Sequence, residues 1–214
     1  MEISRVGSRS IVFTYPVAGW NLNIHLIQGR KFNYLIDTGL GSLSMVPVKE
    51  YLQGNKNPVI VIITHHHWDH VWGNQAFAEC TIVSHRLCRE KIKDKWDEMI
   101  ARYGRFAAGG NAMCLPNLVF EDMLYFSEDK IRIFYTPGHT VDSITVLDED
   151  DGVLNVGDNV GDTMDEIVPS LETEKDVFVK TLSRYKEMDI CICVSGHNKI
   201  LDHNVFGMML RLLE

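Results

Sequence analysis

Thr64-His65-His66-His67-Trp68-Asp69-His70 crowds four imidazoles and one carboxylate into seven residues. Side chains of this kind are costly to bring together unless something pairs with them. Neutral imidazole nitrogens and a carboxylate are ligands for zinc and similar first-row ions, so metal binding is the chemistry this stretch suggests. His65 and His67 alternate, and in an extended turn they point the same way. Asp69 and His70 then aim from the opening of the next helix. The alternative is a solvated histidine-rich loop in which Asp69 serves as a helix N-cap. The preceding Val59-Ile60-Val61-Ile62-Ile63 consists of β-branched apolar residues and suits a strand buried on both faces, so the cluster closes a core strand.

The arrangement recurs. Strand 130–135 ends in Thr136-Pro137-Gly138-His139, strand 153–156 in Gly157-Asp158, and strand 190–194 in Ser195-Gly196-His197. Each delivers a metal-capable side chain just past a Thr or Gly turn, where glycine permits close backbone approach. Strand ends on one edge of a sheet core can converge on a rigid frame. The candidates are His65, His67, Asp69, His70, His139, Asp158 and His197. Such a set is too large for one tetrahedral zinc and suits two metals sharing a carboxylate. Three histidines can make one site; an aspartate, two histidines and a shared Asp158 can make the other.

The elements that must position these residues read as strands at 10–15, 22–27 and 32–37, a short helix at 46–52, and the strand at 59. After His70 a helix is expected through about 78, then a strand at 81–84 and a surface helix over 87–103. Ile92, Trp96, Met99, Ile100 and Tyr103 fall at helical spacing there. Segment 87–116 reads either as a packing element or as a lid over the site. Strands are expected next at 118–120, 123–126, 130–135, 143–147 and 153–156. Thr173-x-x-Asp176 resembles a capping box opening a helix with Val177, Phe178, Leu182 and Tyr185 on its apolar side. A strand at 190–194 and a terminal helix with Val205, Met208, Met209, Leu212 and Leu213 finish the chain. In strand 22–27, Leu22, Ile24 and Leu26 alternate with Asn23, His25 and Ile27, so one face should be the more buried. His25, His66, His85 and His203 read as structural or solvated, and Trp68 and Trp72 as packing residues.

The chain has 214 residues, 45% apolar and 23% charged, an ordinary soluble globular balance that reads as one domain, 1–214. A net charge of −8 argues against a nucleic-acid partner. No segment has the length of a membrane span, and the N-terminus lacks a signal pattern, so no membrane partner is expected. The five cysteines form no C-x-x-C pair and read as free thiols in a reducing, cytoplasmic compartment.

The H-x-H-x-D-H run, the Pro-Gly-His-Thr turn, the Gly-Asp turn and the last Gly-His together resemble the metallo-beta-lactamase superfamily of binuclear metal hydrolases. The resemblance implies an α/β fold, the four-layer α/β/β/α sandwich, with two divalent ions on one edge: zinc first, with iron or manganese as alternatives. It implies His65, His67 and His139 on one ion, Asp69, His70 and His197 on the other, and Asp158 between them. Asp37 of Asp37-Thr38-Gly39 would orient a ligand histidine, and Asp69 would also accept a proton during turnover. His67 stands where the oxygen-reducing branch carries glutamate, which disfavours redox work, and Asp158 where the commonest true beta-lactamases carry cysteine, which with the missing signal pattern disfavours lactam hydrolysis. The stretch 64–74 with Thr136–Thr140 looks most like glyoxalase II, although Ser195-Gly196-His197-Asn198 replaces its Cys-Gly-His-Glu and one short helix replaces its C-terminal domain. The resemblance as a whole implies a hydrolase of a small ester or thioester. A phosphodiesterase on the same ions, or a metal-binding module without turnover, are the other readings.

Overall fold

Runs such as Val59–Ile63 have no polar face, so each sheet built from them needs a cover on both sides. The computed structural model, which describes residues 1–214, supplies it with two sheets packed face to face and helices outside each. The first half contributes β1 (Glu2–Val6), β2 (Ser10–Val17), β3 (Trp20–Gln28), β4 (Asn33–Ile36), α1 (Val46–Leu52), β5 (Val59–Ile63), α2 (Trp68–Val71), β6 (Thr81–His85), α3 (Arg86–Tyr103) and β7 (Leu118–Phe120). The second contributes β8 (Met123–Phe126), β9 (Ile131–Tyr135), β10 (Ile144–Asp148), β11 (Val153–Asn155), α4 (Lys175–Lys186), β12 (Ile192–Val194), β13 (Leu201–Asp202) and α5 (Asn204–Leu213).

The first sheet runs β1 to β7 in chain order, antiparallel as far as β4 and parallel from there. The second runs β13-β12-β11-β10-β9-β8, with β11 and β12 parallel across the α4 connection. Between the sheets lie Ile27, Tyr34, Ile36, Ile60, Ile62 and Val83 from one side and Ile131, Ile133, Ile144 and Val146 from the other. Leu22, Ile24, Leu26, Val61 and Ile63 face outward onto Val48 of α1 and Ile92, Trp96 and Met99 of α3. Phe134, Leu154 and Cys193 meet Phe178 and Leu182 of α4 and Phe206 and Met209 of α5. These are the four expected layers. β3 is consequently buried on both faces, not on one, because α3 covers one side and the second sheet the other.

Several local expectations give way. The helix expected to run through 78 breaks after α2 and resumes as a short 3-10 turn at Asn74–Phe77. There the His70 carbonyl accepts from the Thr38 N–H at 2.8 Å and the Thr38 hydroxyl at 3.1 Å, and residue 73 is a glycine because a Cβ would overlap the Thr38 carbonyl oxygen. The capping box does not form. α4 begins after Glu174 without a side-chain cap, and the Thr173 hydroxyl donates instead to the Gly138 carbonyl at 2.9 Å. β1 escapes the sequence pattern because it is an edge strand with only Val6 buried; β13 escapes it because it is two residues long. α3 is a packing helix, with Ile92, Trp96 and Met99 in the core. No helix is long and apolar enough to cross a membrane, and the five cysteines are unbridged.

His25 lies wholly inside this sandwich, its Nδ1 3.4 Å from the Asn155 amide nitrogen and its Nε2 without a partner. Burial pushes its pKa down to about 3. The unfolded chain therefore binds a proton below about pH 6.5 that the folded chain refuses until about 3. Stability is full above that window and falls as the pH drops through it, by about 1 kcal/mol per pH unit for this one group. His25→Gln, which keeps a polar partner for Asn155 without titrating, is expected to shallow the decline. Urea midpoints from pH 6.5 down to 4, in one metal state throughout, would measure it.

Candidate metal centre

The four strand ends converge on one edge of the sandwich. β5 delivers His65 and His67 on the turn before α2, and the opening of α2 carries Asp69 and His70. β9 leads to His139, β11 to Asp158 in a single helical turn, and β12 to His197. The centre of the set is Asp158 Oδ2. It lies 3.1 Å from His197 Nε2, 3.3 Å from His70 Nε2, 3.6 Å from His65 Nε2 and 3.8 Å from His139 Nε2. His139 Nε2 stands 3.2 Å from His67 Nδ1. Asp69 Oδ2 stands 3.4 Å from His197 Nε2 and 3.8 Å from His70 Nε2. His65, His67, His139 and Asp158 thus form one group with donor atoms within 4.8 Å of one another, and Asp69, His70 and His197 form a second. All seven candidates read from the sequence come together.

The far side of each ring is held. His70 Nδ1–H donates to Asp37 Oδ2 at 2.8 Å, His197 Nδ1–H to the Asn21 carbonyl at 2.8 Å, and His139 Nδ1–H to the Ser170 carbonyl at 2.8 Å. The Thr64 hydroxyl donates to Asp37 Oδ2 at 2.7 Å and is left to accept from His65 Nδ1–H at 3.1 Å. One carboxylate therefore orients two rings and fixes which nitrogen of each faces the centre. Asp37 holds this position with φ at 64°, in the left-handed region that costs a non-glycine residue energy. Asn159, which the sequence reading passed over, accepts from the His139 backbone N–H at 2.8 Å and donates to the Thr136 carbonyl at 2.8 Å. Its place directly after Asp158 was the available signal.

Charge and burial divide the set. Burial alone would push the Asp158 carboxyl up, but His197, His70 and His65 around it hold it well below the usual carboxylate range. For His197 burial works downward, and the Asp158 carboxylate with Asp69 overcomes it and raises the imidazole to about 9. His70 moves up against burial for the same reason, through Asp158, Asp37 and Asp69. His65 is lowered by burial and by His70, and His67 is lowered to about 3 by burial and by His139. Both keep a lone pair free at neutral pH. Asp69 is raised by burial, against the pull of His70 and His197.

His65 Nε2, His70 Nε2 and Asp158 Oδ1 are buried without hydrogen-bond partners. Each such atom costs about 1–3 kcal/mol, and three in one cluster of convergent donors fit a bound cation. A cavity of about 460 Å³ opens onto the centre, bordered by His67, His139, Asp158 and His197 and, on its outer side, by Asp162 and Glu166. A second, of about 190 Å³, lies beyond His67 and Trp68 against Lys95, Met99 and Tyr103 of α3. Trp72 is fully buried, as expected of a packing residue. Trp68 departs from that expectation: it stacks on Tyr103 at 5.0 Å, but it also borders both cavities.

Comparison with known proteins gives the family. The family model described as the metallo-beta-lactamase superfamily matches residues 18–197. The chain is 26% identical over 168 residues to the acyl-coenzyme A thioesterase MBLAC2 of Gallus gallus, an alignment covering 68% of this chain and 60% of that protein. It is 30% identical over 97 residues to a hydroxyacylglutathione hydrolase of Maricaulis maris, covering 45% of this chain and 32% of that one. The chain thus spans 60% of the length of the first relative and 32% of the second. A metallo-beta-lactamase from Pontibacter korlensis superposes with a TM-score of 0.75 at 18% identity, covering 99% of this chain and 98% of that one, a likeness of fold.

Proposed function

Since the chain belongs to the metallo-beta-lactamase superfamily, a family of metal-dependent hydrolases, we propose that it hydrolyses a small ester or thioester at a two-metal centre. The observation that carries this reading is the convergence of five imidazoles and two carboxylates with their free atoms unpartnered in the buried core of the cluster. His65, His67 and His139 would hold one ion, Asp69, His70 and His197 the other, and Asp158 both. Imidazole and carboxylate donors suit zinc first, with iron and manganese next. Bound there, such ions supply Lewis acidity and a hydroxide at neutral pH.

The remaining work falls to the chain. Asp37 and Thr64 hold the His65 and His70 rings, and the Ser170 and Asn21 carbonyls hold His139 and His197. Asp69 Oδ2, 3.4 Å from His197 Nε2 at the edge of the larger cavity, is placed to take up a proton in the step after attack. The thioesterase relatives favour an acyl substrate. Asp162 and Glu166 at the outer side of the larger cavity disfavour a strongly anionic one, which counts against a phosphodiester. We read residues 1–214 as one domain working in the cytoplasm on a small-molecule substrate, with no nucleic-acid or membrane partner.

Elemental analysis followed by a screen of a thioester, a lactone and bis(p-nitrophenyl) phosphate tests the proposal. Two metals per chain and turnover of the thioester or lactone are the expected results. Turnover of the phosphodiester alone would transfer the centre to phosphodiester chemistry. Absence of metal after refilling with zinc, iron or manganese would end the hydrolase reading.

A further inference from the structure

The middle histidine of the triplet has no place among the seven, yet it is not solvated. His66 is 1% exposed, and its ring centre lies 6.5 Å from that of His65 and 4.7 Å from that of His67. Its Nδ1 lies 2.8 Å from Asp142 Oδ1, and Asp142 is fully buried. Its Nε2 lies 3.3 Å from Lys95 Nζ on α3. A lysine ammonium only donates, so Nε2 accepts and Nδ1–H donates to Asp142; the two partners fix the tautomer. An imidazole and a carboxylate buried together are expensive, and Asp142 Oδ2 finds no partner at all. An apolar pair would fill the same space at less cost.

What the pair joins is specific. His66 stands between two donors at the end of β5 in the first sheet. Asp142 belongs to the turn that carries His139 from the second, closed by hydrogen bonds from Gly138 N–H to the Thr140 carbonyl and from Thr136 N–H to the Ser143 carbonyl. A second route returns to the same turn. Lys95 lies 3.7 Å from Glu172 Oε1, and the Glu172 backbone N–H donates to the His139 carbonyl at 2.9 Å. Lys91 adds a contact to Glu172 at 3.5 Å. The contacts therefore form a closed ring: His66 to Asp142, along the turn to His139, across to Glu172, then through Lys95 back to His66. His139 is a member of that ring and His67 follows His66, and their donor atoms stand 3.2 Å apart, supplied by opposite sheets.

We propose that His66 is a positioning residue which, through Asp142 and Lys95, sets the spacing of the three donors His65, His67 and His139 across the two sheets. The inference rests on the metal-hydrolase reading. Outer-layer partners of this kind typically change metal affinity or activity about 10- to 100-fold when removed.

Cobalt titration against a competing chelator, with the cobalt absorption spectrum as second readout, tests it. His66→Ala and Asp142→Ala are expected to weaken the three-histidine site about 10- to 100-fold and to shift its visible bands, with the second site little changed. His66→Asn, whose amide nitrogen can occupy the place of Nδ1 and donate to Asp142, is expected to recover most of both. A core pair important only for stability would lower the melting temperature while leaving cobalt affinity and spectrum at parental values; that result would overturn the proposal, as would a His66→Asn variant no better than His66→Ala. Should the alanine variants fail to fold, Lys95→Met removes the Nε2 donor from a half-exposed helix position, and an unchanged cobalt spectrum there would overturn it equally. A parent protein that takes up no cobalt would count against the metal centre itself. A parent that takes up two, with variants alike, would count against His66 alone.

Discussion

Asp158→Asn is expected to abolish hydrolysis and leave at most one metal bound. The change keeps the shape of the side chain and removes its charge. Asp158 Oδ2 is within 3.8 Å of four imidazole nitrogens, and no other candidate reaches both donor groups so closely. An amide there would offer no anionic oxygen to the centre, and its N–H could donate to a ring lone pair that a metal would need. Removing a partner that only supports a ligand costs about 10- to 100-fold. Removing a side chain shared by both sites should exceed that, because both lose a donor and the negative charge that holds the cluster together. Metal content and kcat on the best substrate of the screen would measure it. Two metals with more than about a tenth of parental kcat would show that Asp158 is not the shared group.

Gly196→Ala should produce nearly the same loss without replacing any candidate ligand. A Cβ at Gly196 would overlap Asp158 Oδ1 and stand 2.8 Å from His70 Cε1. The backbone there does not lie in the left-handed region, so space, not conformation, excludes the methyl group. Local folding is otherwise well tied: Gly196 N–H donates to the Gly157 carbonyl at 3.1 Å, and the Gly196 carbonyl accepts from Asn23 N–H at 2.7 Å. The variant is therefore expected to fold, with Asp158 and His70 pushed out of register, and to lose metal and activity together. Gly54→Ala, where nothing lies within 4 Å, is the matched control and should behave as the parent. A Gly196→Ala protein with full metal content and rate would mean that the edge yields more easily than its packing implies.

The seven candidates could be read from the chain because each is a charged or imidazole side chain placed where an apolar strand stops, a position at which packing offers no reason for it. The layers were legible for a related reason: β-branched runs such as Val59–Ile63 demand cover on both faces. What stayed hidden has a common physical basis. Asn21 and Ser170 act through their carbonyls, which every residue possesses. His66 and Asp142 are 76 positions apart, and only the packing of the two sheets reveals them as partners. The break after α2 coincides with Thr38 taking the His70 carbonyl, a long-range contact that no periodicity reports. Thr173 had the spacing of a cap, but the helix starts one residue later, with Glu174 in the cap position.

The donors are spread along the chain from His65 to His197 and meet only at the assembled edge. A ribosome adding roughly 5–20 residues per second exposes His65, His67 and His70 several seconds before His197 exists. During that interval the emerging chain is a histidine-rich peptide with free imidazoles, able to hold a stray ion in whatever geometry a flexible segment allows. An ion captured then favours the unfolded chain as well as the folded one, which subtracts from the stabilisation it later provides. On the two-metal reading, the ion found in the purified protein would partly record which ions were abundant while it was being made. Material unfolded in chelator and refolded in a single chosen ion would carry no such history.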